Sequence, residues 1–513
     1  MERKEGLEQW RTDKIEFVSN LEGGSSQEVI LAMSVVPALT LIFTRELIRL
    51  LPVKSTVLTL LLEFTFYIAP IVIEFTVLSD HIVSLCVGLV VAILCLVHIK
   101  AFSSKRQHKN EEATKSDNDN NDDDDDENKK AAGSRQLVAA LTEFRGTLSY
   151  VTAAAILAVD FRIFPRRFAK TEVAGFSLMD AGVGLFSMSS GITTSMKTVS
   201  DANSNSNKDS TSKRTKRSIK NKRNVPWRTI FILFGLGLAR LIAVKASGYP
   251  EHISEYGVHW NFFFTLGSVS LIVSLLGIHN AWTAMVLASI ILCVRSFAGA
   301  TRDLDSWILD RVPLRRPLPD YWNFVPLWIR RIIEDNREGL LSVPGFVAIE
   351  LLGYSIGAWL LKPFQLVGPN DRKKFVRLSV RSCIHGGAIS FVLWVAVNVL
   401  GSINALPSRV LVNVPYVMFT ASVGLASVST LLCGWALFGN YAEENRGTLC
   451  TASGASTNML ATFLVANVAT GLVNFSVNSI TVPPVPSLCI LLVYMLAVSS
   501  FAFICNKYNL RIK

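Results

Sequence analysis

The chain has 513 residues, half of them apolar and only 18% charged, with a mean hydropathy of +0.38, whereas a soluble globular chain carries roughly 25% charged residues. That balance excludes an ordinary soluble enzyme. The formal charge of +11, from 51 Lys and Arg against 40 Asp and Glu, sits in loops between apolar blocks, which points to membrane sidedness rather than to a nucleic-acid partner.

Residues 1–28 are charged and contain no apolar core of a cleavable leader, so insertion is expected to rely on the first span. In chain order, blocks long enough for the hydrocarbon layer run over 29–50, 56–77, 82–99, 140–159, 175–193, 227–245, 260–277, 281–299, 343–361, 379–401, 411–438, 456–476 and 484–504. They predict an all-α, polytopic membrane protein with about thirteen transmembrane helices. Glu143 and Arg145 intrude near the start of the fourth block, and the blocks at 260 and 281 nearly fuse. The organisation is that of one integral membrane domain. Its parts are a tail with three spans (1–99), an acidic loop (100–135), spans flanking a charged loop (136–193), a basic loop (194–226) and the remaining spans (227–513), with loops at 246–259 and 300–342.

Loops rich in Lys and Arg tend to stay cytoplasmic. Under this count the loops 100–135, 194–226 and 362–378 and the tail after 505 share one face, which is assigned to the cytoplasm with the N-terminus in a lumen. The loops 108–135 and 200–224 have no apolar residues to bury and read as solvated spacers. The opposite face breaks the rule, with Arg162, Arg166, Arg167 and Lys170 in one short loop and seven arginines between 300 and 342. Those exceptions need a reason of their own.

Seven of the eight cysteines lie in or beside apolar blocks, Cys450 stands in a loop, and no CxxC pair occurs. They read as packing residues rather than as a disulfide framework or a metal site. There is no Walker loop, no G-x-S-x-G elbow and no dinucleotide fingerprint. An ATP-driven pump is thereby disfavoured.

Ionisable residues at or near a span are costly and therefore mark candidate sites. The densest such place is Asp160-Phe-Arg-Ile-Phe-Pro-Arg-Arg-Phe-Ala-Lys170-Thr-Glu172. A carboxylate held partly out of water is a stronger base than a hydrated one, and Lys170, beyond the helix-breaking Pro165, can return beside Asp160. Such a pair can take a proton from a hydroxyl and steady developing negative charge. The structural alternative is that Asp160 caps or ion-pairs at the interface while the arginines reach for lipid headgroups. Asp180 follows among small residues and either lines the same site or pairs with Arg240.

A second cluster, 248–261, carries Glu251, His252, Glu255, Tyr256 and His259 with interfacial aromatics. Its two histidines are seven apart and HExxH is absent, so contact with a sugar or lipid headgroup fits better than a metal; anchoring of a span end is the structural alternative. The third, 300–342, includes Trp328 to Ile333, which reads as a short helix on the membrane surface, and then Asn336-Arg-Glu-Gly339.

These strings have a familiar form. The segments 160–172, 177–184 (Ser-Leu-Met-Asp-Ala-Gly-Val-Gly) and 251–264 (Glu-His-Ile-Ser-Glu-Tyr-Gly-Val-His-Trp-Asn-Phe-Phe-Phe) resemble those of the endoplasmic-reticulum inositol acyltransferases of GPI-anchor biosynthesis. The segments 336–339, 342–345 and 17–24 extend the likeness over nearly the whole chain. The resemblance implies transfer of a fatty acyl group, typically palmitoyl, from acyl-CoA as co-substrate to the inositol ring of glucosaminyl-phosphatidylinositol. It also implies thirteen spans, lumenal motifs and no tightly bound cofactor or metal. It makes Asp160 and Lys170 the expected catalytic pair. Arg166 or Arg167 is expected to hold a phosphate, and Asp180, Glu251, His252, Glu255, Tyr256, His259 and Asn336 to wall the headgroup pocket. Acyl-CoA is cytosolic while the pair is lumenal, so a tunnel or cleft through the bundle is expected. A lipid transporter using the same cleft without covalent chemistry is the competing expectation, and the acyl length, the ring hydroxyl and the oligomeric state stay open.

Overall fold

The structure is a computed structural model. It describes residues 17, 21–51, 53, 55–112, 126–206, 225–247, 256–301, 304–309, 317, 323–361, 363–364, 372–438 and 448–512, with backbone alone at 103–112, 126–138, 197–206, 244, 246–247, 301 and 372. Every predicted block lies on a helix: α1 (Ser26–Leu50), α2 (Thr56–Phe75), α3 (Ile82–Glu112), α4 (Asp126–Ala158), α5 (Leu178–Ser206), α6 (Trp227–Ser247), α7 (Phe262–Leu276), α8 (Ala281–Thr301), α9 (Leu304–Leu309), α10 (Leu327–Asp335), α11 (Arg337–Leu361), α12 (Arg372–Ser402), α13 (Val414–Phe438), α14 (Cys450–Thr457), α15 (Met459–Ser476) and α16 (Pro484–Lys507). Among the described residues, nine helices are long and apolar enough to cross a bilayer. Of the predicted spans, α4, α5, α6 and α7 are not among the nine; α7 has only 15 residues, and the others carry charges such as Glu143, Asp180 and Arg240.

Local chemistry sets the helix ends. The Ser25 hydroxyl accepts from Glu28 N at 3.2 Å, and Asn261 Oδ1 accepts from Phe263 N and Phe264 N at 3.1 and 3.3 Å, so each side chain supplies an acceptor that the first helical turn lacks. One predicted block divides. Residues 456–476 break at Asn458, which leaves helical geometry (φ −116°, ψ 42°) between α14 and α15. Its amide is committed to the C-terminal tail, donating to Leu510 O at 2.9 Å and accepting from Ile512 N at 2.8 Å. Cys450, expected in a loop, is the first residue of α14.

The chain forms two compact units, taken here one at a time. The first comprises Met1–Gly24, Arg167–Lys362 and Val392–Ala421. Its centre is the crossing of α5 and α11. Gly191 lies against the Glu350 backbone carbonyl and Gly353 against that of Met188, so close that a Cβ at either would collide, as small residues permit in membranes. The Ser190 hydroxyl donates to Glu350 Oε1 at 2.8 Å across the same crossing.

The second comprises Ser25–Arg166, Pro363–Phe391 and Ser422–Lys513. Here α14 is wedged between α4 and α16, with Gly146 against Ala452 and Gly454 against the Ala502 carbonyl. The Glu63 carboxylate of α2 accepts from Cys450 N at 2.9 Å and Thr451 N at 2.7 Å, closing the electropositive start of α14 from another helix. The charges that intrude on the fourth predicted span are also accounted for. Glu143 Oε1 pairs with Arg45 Nη1 at 2.7 Å, its Oε2 accepts from Trp435 Nε1 at 2.8 Å, and Arg45 also meets Glu46 at 2.9 Å. Paired and hydrogen-bonded in this way, charges are tolerated within an apolar layer.

Candidate active site

In the second unit, α4 ends at Ala158 and the chain turns through Asp160, with Phe161 and Phe164 fully buried beneath it. The last carbonyls of a helix have no partner within it. Here backbone amides of the turn supply them, Asp160 N donating to Leu157 O at 3.1 Å and Phe161 N to Ala158 O at 3.0 Å, while Arg166 folds back on the turn that follows: its Nη2 donates to Val159 O at 2.9 Å, Phe161 O at 3.2 Å and Phe164 O at 2.9 Å, and its Nε to Phe164 O at 3.2 Å. Burial pulls this guanidinium down to about 10, with the Asp160 carboxylate opposing the shift, so it stays charged at neutral pH. Its Nε and Nη2 are thus engaged in holding the turn, a duty different from the phosphate contact expected of it. Asp160 is 8% exposed, and its Oδ2 accepts from Asn474 Nδ2 of α15 at 2.8 Å. The other amide atom, Asn474 Oδ1, is buried with no donor among the described residues.

In the first unit the same loop continues from Arg167, whose guanidinium lies 5.1 Å from the Phe168 ring. Lys170 is partly buried. Its neighbour Thr171 is fixed by Asp180, in the first turn of α5: Oδ2 accepts from Thr171 N at 3.0 Å and from its hydroxyl at 2.6 Å. Asp180 Oδ1 accepts from Arg409 Nε at 2.9 Å, and the Asp180 carbonyl accepts from the Tyr416 hydroxyl at 2.7 Å. The expected alternative partner, Arg240, lies instead on the exposed side of α6. With its carboxylate so occupied and only 3% exposed, Asp180 holds the loop. Residues 172–176 run beside the N-terminal segment: Glu172 N donates to Leu21 O at 3.0 Å and Gly24 N to Phe176 O at 2.7 Å. Gly23 (φ 86°) and Gly175 (φ 149°) adopt backbone angles that favour glycine, each packed on a carbonyl of the other segment.

The second expected cluster is partly visible. Glu251, His252 and Glu255 lie outside the described residues. The Arg409 guanidinium sits 5.6 Å from the Tyr256 ring, so this arginine brings together two predicted site residues, Tyr256 and Asp180. Asn336, 3% exposed, accepts from His259 N at 2.8 Å through Oδ1 and donates to Ile332 O at 2.9 Å, which makes it a fastener of the loop. The His259 ring is exposed, its Nδ1 3.3 Å from Lys245 Nζ. No group of three His, Cys, Asp or Glu side chains among the described residues is placed to hold a metal.

Sequence reasoning missed Asn474, Arg409 and Tyr416. The only signal was polarity out of place: an amide in the apolar α15, and an arginine in the short loop between α12 and α13.

Comparison with known proteins gives the family. A profile of the GWT1 family matches residues 10–505. The chain is 31% identical to GPI-anchored wall transfer protein 1 of Aspergillus oryzae over 98% of its own length and 99% of the relative's. It is 33% identical to the protein of that name from Yarrowia lipolytica over 73% of each, and 30% identical to the phosphatidylinositol-glycan biosynthesis class W protein of Dictyostelium discoideum over 99% of each. A match over nearly the whole length leads to one conclusion: the chain belongs to the GWT1 family, the GPI inositol acyltransferases.

Proposed function

We propose that the chain transfers a fatty acyl group of palmitoyl type from acyl-CoA to a hydroxyl of the inositol ring of glucosaminyl-phosphatidylinositol. The reaction takes place in the endoplasmic-reticulum membrane, with the N-terminus lumenal and the C-terminus cytoplasmic. The observation that carries this reading is the pairing of Asp160 with Asn474. A carboxylate 8% exposed is held by an amide whose own oxygen is buried with no donor, and a hydroxyl supplies the hydrogen that such an environment lacks.

In this scheme Asp160 takes the proton of the attacking hydroxyl as the oxygen–carbon bond to the thioester carbonyl forms. Lys170 steadies the oxyanion of the tetrahedral intermediate. The carbon–sulfur bond then breaks, and the CoA thiolate leaves with the proton that Asp160 took. Arg167 is assigned to the phosphate of the acceptor. Tyr256, His259 and Asn336, together with Glu251, His252 and Glu255, are assigned to the wall around its headgroup. No tightly bound cofactor enters the scheme.

The test is purified protein in bilayers with radiolabelled acyl-CoA and the glycolipid. Acylated inositol is expected from wild type. Asp160→Asn, which keeps the hydrogen-bonding shape but not the base, is expected to lower turnover at least about a hundredfold with unchanged folding by thermal melt. Wild-type product from Asp160→Asn removes Asp160 as the base, and movement of unchanged glycolipid across the bilayer without product favours a transporter.

A further inference from the structure

We infer that α10 lies flat in the headgroup layer as a membrane-surface anchor, and that it sets the height of the loop 256–261 above the hydrocarbon. The lipid contact stands on its own. The consequence for the glycolipid rests on the function proposed above, in which that loop walls the headgroup pocket.

Chain continuity fixes where α10 is. It ends at Asp335, and α11, which is long and apolar enough to cross a bilayer, begins at Arg337. A nine-residue helix is about 13 Å long, roughly twice the depth of the headgroup layer on one side of a bilayer. Upright, α10 would project into water. Its side chains exclude that orientation. Ile333 packs inward on the core of Trp307, Ile308, Val410 and Leu411, while Trp328 and Ile332 face outward at 66% and 50% exposure, and Phe324, just before the helix, is 81% exposed.

At 100° per residue the outward apolar pair and the inward apolar pair, Ile329 and Ile333, form one continuous arc, with Arg330, Arg331, Glu334 and Asp335 on the other side together with the helix's first residue, Leu327. One half of the arc is covered by protein, and the other half has the composition of an interfacial helix, Trp included. A lipid surface can cover it, with Asp335 and then Arg331 bordering its outward edge, where the long Arg331 side chain can reach a phosphate.

The same helix end carries the loop. Asp335 O accepts from Val258 N at 2.8 Å, and Asn336 Oδ1 accepts from His259 N. Gly257 (φ 96°) passes against Asp335 O and Asn336 Cα, where a Cβ would collide, and the Trp260 ring rests on Gly339. Four consecutive residues are therefore docked on the α10–α11 junction. Tyr256, next in line, meets Arg409 and through it Asp180. How deep α10 sits thus decides where the loop sits.

The experiment uses the full chain in nanodiscs of phosphatidylcholine and phosphatidylinositol. The photoreactive residue p-benzoylphenylalanine replaces Trp328 or Ile332, or, as a reference on a spanning helix, Trp282, which is 70% exposed on α8. Irradiation is expected to give lipid adducts at 328 and 332 as at 282; adducts at 282 alone overturn the anchor. The double variant Trp328→Ser, Ile332→Asn is expected to speed amide exchange in the peptide spanning 256–261, and unchanged exchange overturns the link between helix and loop. Both readouts are independent of catalysis. In the acyl-transfer assay the same variant should raise KM for the glycolipid about threefold or more with kcat and the KM for acyl-CoA unchanged. Faster exchange with an unmoved glycolipid KM would leave the anchor standing and remove the loop from the headgroup site.

Discussion

Asp180 and Arg409 are only 3% and 5% exposed and neutralise each other while Asp180 also holds Thr171, so a change at either acts on the loop rather than on substrate. Asp180→Ala leaves a buried cation without its partner and is expected to cost about 3–5 kcal/mol, read as a lower melting temperature in detergent. The double variant Asp180→Asn, Arg409→Met should recover much of that loss, because no buried charge is left unpaired. Arg166 has a different duty. Arg166→Met removes the guanidinium from Val159 O and Phe164 O, leaving Phe161 O with Phe164 N alone, and is expected to cost about 2–4 kcal/mol. The folded value of its guanidinium, about 10, lies below the usual one. Between the two values the unfolded chain binds more protons, so this group's share of stability rises rather than falls as pH climbs through that window. Below it the group is charged in both states. The difference in melting temperature between wild type and Arg166→Met should therefore stay flat from about pH 6 to about pH 9. At this scale the sequence was half legible. Charge density beside a span exposed the loop 160–172, but Asn474 and Arg409 lie 314 and 229 residues from the groups they serve, and a single sequence carries no record of which polar residues meet across helices.

Helices were the most legible elements, because about twenty apolar residues in a row have few other uses. What composition hid were the interruptions. Asn458 breaks a block that reads as continuous, since its amide answers the tail at 510–512, and that demand is invisible until the tail is in place. The start of α14 was hidden for the same reason: its first amides are satisfied by Glu63 of α2. Glu63→Ala leaves two of them without an acceptor and is expected to cost about 2–3 kcal/mol, with exchange rising first in the peptide that begins at Cys450. A milder loss is expected from Glu63→Gln, which keeps one side-chain acceptor but not the charge. Faster exchange elsewhere with α14 unaffected would contradict the capping role.

For the whole molecule, membrane character followed from mean hydropathy and block length, and nine of the described helices meet both requirements. Sidedness rests on where Lys and Arg fall. If that assignment holds, protease added outside sealed endoplasmic-reticulum vesicles should remove an epitope placed after Lys513 and spare one placed before Met1; the reverse pattern would invert every loop. Family membership was legible in uninterrupted strings such as 160–172. The function of the arginines in that string was not, because the same guanidinium that can grip a phosphate can also hold a turn together, and only geometry distinguishes the two.

The partnership of Asp160 with Asn474 has a consequence for biosynthesis. At ~5–20 residues per second, the ribosome needs roughly 15–60 s to travel from one codon to the other, and throughout that interval the nascent carboxylate waits in or beside the bilayer without its amide. Chains that stall or terminate before α15 would insert yet never complete this corner, and they would present the quality-control machinery with an acidic group that the finished protein conceals.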